Sequence, residues 1–137
     1  MKIISVFFII LFILSSCGKE KQISKELPGE WEPVSLRINE KNGIAEYVDA
    51  TGFFKITSSS KKSNKGTYSL EISYVYSGQN KMLIENGSYQ VRENNFLRTT
   101  DLLANHEASV YYVSDQDLEF DIPSLNDQRF LFFFKKK

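Results

Sequence analysis

Apolar and polar residues alternate with a period of two through most of the chain. Val34, Leu36 and Ile38 alternate with Ser35, Arg37 and Asn39, and Phe54 and Ile56 alternate with Lys55 and Thr57. The clearest run is Gly66 to Tyr76, where Tyr68, Leu70, Ile72, Tyr74 and Tyr76 fall on one side, opposite Thr67, Ser69, Glu71 and Ser73. Strict alternation places successive side chains on opposite faces of a strand, one wet and one buried. Met82 and Ile84 lead into Asn86-Gly87, followed by Tyr89 and Val91, and Asn-Gly between alternating runs is a hairpin signal. Phe96, then Val110 and Tyr112, then Leu118, Phe120 and Ile122 mark three more strands, and Arg129 to Phe134 reads as a buried one. The expectation is eight or nine short strands separated by turn-rich gaps such as Ser58–Lys65. The class is all-β, an antiparallel barrel or sandwich. One gap, Thr99–Glu107, has room for a turn or two of helix, capped by Thr100 and carrying Leu102 and Leu103.

The N-terminus follows a different rule. Lys2 is followed by an apolar run from Ile3 to Leu14, broken only by Ser5 and ending in Leu14-Ser15-Ser16-Cys17. A helix of about 14 residues reaches about 21 Å, short of the roughly 30 Å hydrocarbon core. A charged start, a short apolar segment and small residues before a cut describe a secretory signal. Leu14-Ser15-Ser16-Cys17 resembles the lipobox of bacterial lipoproteins. The resemblance implies cleavage after residue 16, acylation of Cys17 and a membrane anchor made of several acyl chains. Gly18 stands where Asp, in enteric lipoproteins, argues for inner-membrane retention, so the outer membrane of a bacterial envelope is the expected location. Residues 17–26, with the polar run Gly18 to Glu26, are expected to be a tether allowing a stand-off of up to about 30 Å. Residues 27–137 form the domain.

Within that domain, Gly29-Glu30-Trp31 precedes the first strand, and Gly66-Thr67-Tyr68 and Gly87-Ser88-Tyr89 open later ones. This arrangement resembles the lipocalin-like domain of small bacterial lipoproteins. The resemblance implies an up-and-down barrel of about eight strands. By the same resemblance, Trp31 plugs the closed end and Arg129 packs over it from a late strand.

Composition narrows the chemistry. The 137 residues carry 17 basic and 17 acidic side chains, so no excess of positive charge attracts nucleic acid. A single Cys excludes an intramolecular disulfide. A single imidazole, His106, has no Gly-x-Ser-x-Gly turn beside it and is expected on a surface loop. Zinc needs three or four N or S ligands, which one His and an acylated Cys cannot supply. Asp115, Asp117, Glu119 and Asp121 are spaced like part of a calcium loop, but Phe120 and Asn126 stand where Gly and Glu are required. The period of two makes these four a wet stripe opposite Leu118, Phe120 and Ile122. Lys61, Lys62, Lys65 and Lys135 to Lys137 read as solvated loop and tail, able to orient the domain near anionic headgroups. The chain is expected to be non-enzymatic, with no cofactor and no metal.

The aromatic stripes leave two functional readings. In one, Tyr68, Leu70, Ile72, Tyr74, Tyr89 and Tyr112 line a lumen that holds a small, largely apolar ligand. In the other, the rings fill the core. The protein then docks an envelope protein through Leu131, Phe133 and the acidic stripe.

Overall fold

The computed structural model describes residues 18–40, 43, 45–100, 106–123 and 128–137. The described residues hold nine strands: β1 (Gly29–Asn39), β2 (Ala45–Val48), β3 (Ala50–Ser58), β4 (Lys65–Tyr76), β5 (Gln79–Arg92), β6 (Asn95–Thr99), β7 (His106–Val113), β8 (Asp117–Pro123) and β9 (Arg129–Lys136). From β3 onward each strand pairs with the next, β1 pairs with β3, and β1 also pairs with β9. All ladders are antiparallel, so eight strands close into an up-and-down barrel. The short β2 pairs with the far half of β1, where Arg37 faces Tyr47. Closure removes the exposed edges that an open sheet of this length would present.

Alternation carries the inward face almost throughout. Phe54, Ile56, Tyr68, Leu70, Ile72, Val91, Phe96, Leu118, Phe120, Phe132 and Phe134 are all buried. Two bulges shift the phase. In β1, Pro33 pairs with Phe134 but Ser35 pairs with Phe133, so Val34 is an extra residue and points outward. Pro33 has no N–H to give the ladder, which suits an irregularity there. In β7, Val110 pairs with Phe120 and Tyr112 with Glu119, leaving Tyr111 as the extra residue.

The hairpin expected at Asn86-Gly87 lies elsewhere. β5 runs straight through that dipeptide, with Ser69 opposite Asn86 and Tyr68 opposite Gly87. The turn is Ser77-Gly78, both at positive φ (51° and 73°), between the paired Tyr76 and Gln79. Positive φ at both central residues is the two-residue turn whose twist matches its strands. Gly87 serves close approach instead, because a Cβ there would collide with the Thr99 carbonyl oxygen. Because β5 is continuous, Met82 and Ile84 (60% and 59% exposed) point outward, and the odd positions Leu83, Glu85, Tyr89 and Val91 point inward.

The stretch expected to be a free tether is helical over 18–26. Ile23 and Leu27, four residues apart and therefore on one helical face, are both buried in the barrel's core cluster. Glu20 accepts from Asn64 Nδ2 (3.3 Å) and from the Glu93 backbone N–H (3.2 Å), tying the helix to the β3–β4 and β5–β6 turns. Cys17, the expected helix around Leu102 and Leu103, and Asn126 lie outside the described residues.

Candidate functional site

The two ends of the lumen are built differently. At one end Trp31 has no exposed surface, and its Nε1–H donates to the Leu27 carbonyl at 2.8 Å. Above it Phe54 packs against Phe134 (5.5 Å between ring centroids), Phe120 (5.1 Å) and Phe96 (6.1 Å), and Tyr89 stacks on Phe96 at 4.7 Å. Rings in such tilted and edge-on contacts add attraction beyond the area they bury. Trp31 therefore plugs this end. The cation over it is Lys136, 5.0 Å from the ring centroid, with its Nζ also donating to the Glu26 carbonyl at 3.1 Å. Arg129 does not pack there. It pairs with Asn39 at the opposite end of β9, in the outward phase, and its guanidinium binds Asp121 and the Tyr111 hydroxyl. That carboxylate raises the pKa of Arg129 further.

At the other end Val48, Tyr74, Tyr76, Leu83 and Phe130 are only partly buried, packing on the core from above. Tyr74 and Phe130 lie 6.1 Å apart, and Gln128 Nε2 donates to Glu40 at 2.8 Å between the start of β9 and the end of β1. This is an apolar mouth with a polar rim. Burial raises the pKa of Tyr74.

Between plug and mouth sits a polar cluster. The inward phase of β5 brings in Glu85 and that of β6 brings in Arg98. Their side chains are 13% and 5% exposed. Arg98 Nη1 donates to both Glu85 oxygens, at 2.7 and 2.8 Å, and the Tyr68 hydroxyl donates to Oε1 of the same carboxylate. Burial and then this hydrogen bond push the pKa of Tyr68 far up, so the phenol stays protonated and remains a donor. His106 opens β7 as the register partner of Arg98, on the same face, and not on a surface loop. A shielded ion pair gains from its additional hydrogen bond, because desolvation would otherwise outweigh the attraction.

Of the expected lining residues, Tyr68, Leu70, Ile72 and Tyr89 do face inward and are buried, and Tyr74 stands at the mouth. Tyr112 does not line the lumen. The Tyr111 bulge turns it outward, 53% exposed. Sequence reasoning missed Glu85 and Arg98 because charge suggests a wet face. The usable signal was parity: Arg98 shares the phase of Phe96, and Glu85 that of Tyr89 and Val91. The acidic stripe is partly neutralised, since Asp117 pairs with Lys135 and the buried Asp121 with Arg129. Outside the barrel a cleft of about 790 Å³, lined mainly by polar residues such as Thr57, Lys65, Thr67, Gln90 and Arg92, crosses β3 to β7. No helix among the described residues is long and apolar enough to cross a membrane.

Together the closed ladder, the plugged end and the apolar mouth define a closed antiparallel eight-strand β-barrel with a lumen compatible with ligand binding. Among solved structures the chain is similar to a de novo designed fluorescence-activating β-barrel, with a TM-score of 0.51 and 15% identity over 85% of this chain and 98% of that one. At that identity the likeness is one of fold. No protein-family model matches the sequence, and no curated protein matches it.

Proposed function

We propose that this chain is a lipocalin-like lipoprotein of the bacterial envelope. In this reading it is anchored through acylated Cys17 and binds a small, largely apolar ligand in the upper lumen without catalysing a reaction. The observation that carries the lumen reading is the gradient of burial. Trp31, Phe54 and Phe96 are sealed, whereas Tyr74, Tyr76, Leu83 and Phe130 present partly open apolar surface around one entrance. A concave, mostly apolar site with a few convergent polar groups is the usual form of a small-molecule pocket. The lipoprotein reading rests on Leu14-Ser15-Ser16-Cys17. It also gains a geometry from helix 18–26. An anchor directly before a docked helix holds the plugged end toward the bilayer, so the mouth faces away. Lys19, Lys21, Lys61 and Lys62, exposed around that plugged end, suit an anionic headgroup surface.

Native mass spectrometry of protein gently extracted from its own envelope tests the ligand. The expected result is an excess of a few hundred daltons, beyond the acyl chains, that is lost on unfolding. A bare chain travelling with a stoichiometric second protein favours docking instead. The observation on that side is the outer wall of β7 to β9, where Tyr111 and Tyr112 are exposed on the side of the sheet that also bears Leu131 and Phe133.

A further inference from the structure

Three buried polar side-chain atoms among the described residues have no hydrogen-bond partner: Ser24 Oγ, Arg37 Nε and Arg98 Nε. Ser24 belongs to helix 18–26 beneath the plug, and Arg37 lies on the outward phase of β1, over the Tyr47 ring. Arg98 Nε alone belongs to an inward side chain of the barrel wall. Guanidinium has five N–H donors in a fixed plane. Here Nη1 serves both oxygens of Glu85, while Nε–H lies shielded with no acceptor. A buried donor left in that state is costly, and an oxygen brought to it gains more than one offered to a hydrated donor.

We infer that the lumen ligand carries a neutral carbonyl-type oxygen, as in an ester, amide or ketone, and that this oxygen accepts from Arg98 Nε. The inference rests on the lumen reading above and specifies the ligand for that same site. The charge balance selects the class. Glu85 already neutralises Arg98, and Tyr68 donates to the same carboxylate. A carboxylate head would bring an unbalanced negative charge beside Glu85 in a shielded interior, whereas a carbonyl brings an acceptor and no charge. The apolar body then points toward the mouth, where Tyr74, Leu83 and Phe130 present partly buried apolar surface to receive it.

The test is nuclear magnetic resonance on the full mature protein in non-ionic detergent, titrated with methyl laurate, lauric acid or dodecane. The Nε–H resonance of Arg98 is assigned by its loss in Arg98→Lys. That variant keeps a cation for Glu85 and removes the Nε donor. Methyl laurate is expected to shift the Nε–H resonance downfield together with the Ile72 methyls. It should bind about tenfold more tightly than to Arg98→Lys, while dodecane binds both proteins alike. Lauric acid should bind more weakly than its ester. If ester and alkane shift the Ile72 methyls with equal affinity and leave Nε–H unmoved, or if the acid binds better than the ester, the carbonyl assignment is wrong and the lumen reading stands. If no probe moves Ile72 or Tyr74, the lumen reading itself fails.

Discussion

The plugged end and the mouth are made from the same strands yet obey different constraints. At the plug, large rings and branched aliphatics such as Phe54, Phe96, Phe120, Phe134 and Leu118 fill the interior, the docked helix supplies the floor, and Trp31 meets its one polar need on Leu27. At the mouth, Val48, Tyr74, Tyr76, Leu83 and Phe130 are also apolar or aromatic, but they are only partly buried and no described element seals them. Material of one hydrophobic class therefore serves stability at one end and accessibility at the other. What decides is the cover, not the residue type.

Substitutions should separate the ends sharply. Trp31→Ala is expected to cost about 3–5 kcal/mol in urea denaturation, because the cavity lies where nothing can collapse into it. Gly87→Ala should cost about 1–3 kcal/mol through the collision with Thr99. Gly78→Ala, with open space but positive φ, should cost about 1 kcal/mol. Tyr74→Ala, partly buried at the mouth, is expected to lose about 1 kcal/mol of stability and most of any affinity for an apolar probe. An equal loss at Trp31 and Tyr74 would erase the distinction between the ends. Alkali provides a gentler probe. Tyr68 is held protonated in the barrel but ionises near pH 10 in the unfolded chain. Ionisation therefore favours the unfolded state, and stability should be level below that pH and fall as pH rises through and beyond it. Tyr68→Phe should flatten the fall in a pH series of urea midpoints. Tyr112→Ala, on the outer wall, should change stability by less than about 0.5 kcal/mol and leave probe binding intact.

Most of the wall was legible because a barrel interior enforces parity over long runs. Tyr68 to Tyr76 on β4 and Leu118 to Ile122 on β8 needed only counting. The failures occur where one residue changes the count. Tyr112 reads as inward in sequence because nothing in its neighbourhood announces the Tyr111 bulge. Met82 and Ile84 read as the apolar phase in sequence because Asn86-Gly87 looks like a turn. In fact the glycine answers a contact with Thr99, which is remote in sequence. The tether became a helix because Ile23 and Leu27 find a core that the local sequence does not reveal. Arg129 and Lys136 exchanged expected roles for the simplest reason: only the even positions of β9 face in. The ion pair of Glu85 and Arg98 is hidden because charge suggests a wet face: Arg98 shares the parity of Phe96, but Glu85 joins that of Tyr89 and Val91 only because β5 runs on through Asn86-Gly87.

The pairing of β1 with β9 has a consequence in time. Trp31 sits beside Lys136, so the earliest strand to emerge waits for the ninth before its second edge is covered. Helix 18–26 waits too, first for the turn at Glu93, on which Glu20 docks, and then for Lys136, which donates to the Glu26 carbonyl. Contacts so distant along the chain are slow to form, and until they do β1 offers an open edge to any neighbouring strand. A chain of this kind is most vulnerable to aggregation during synthesis, and safest only once the ring has closed.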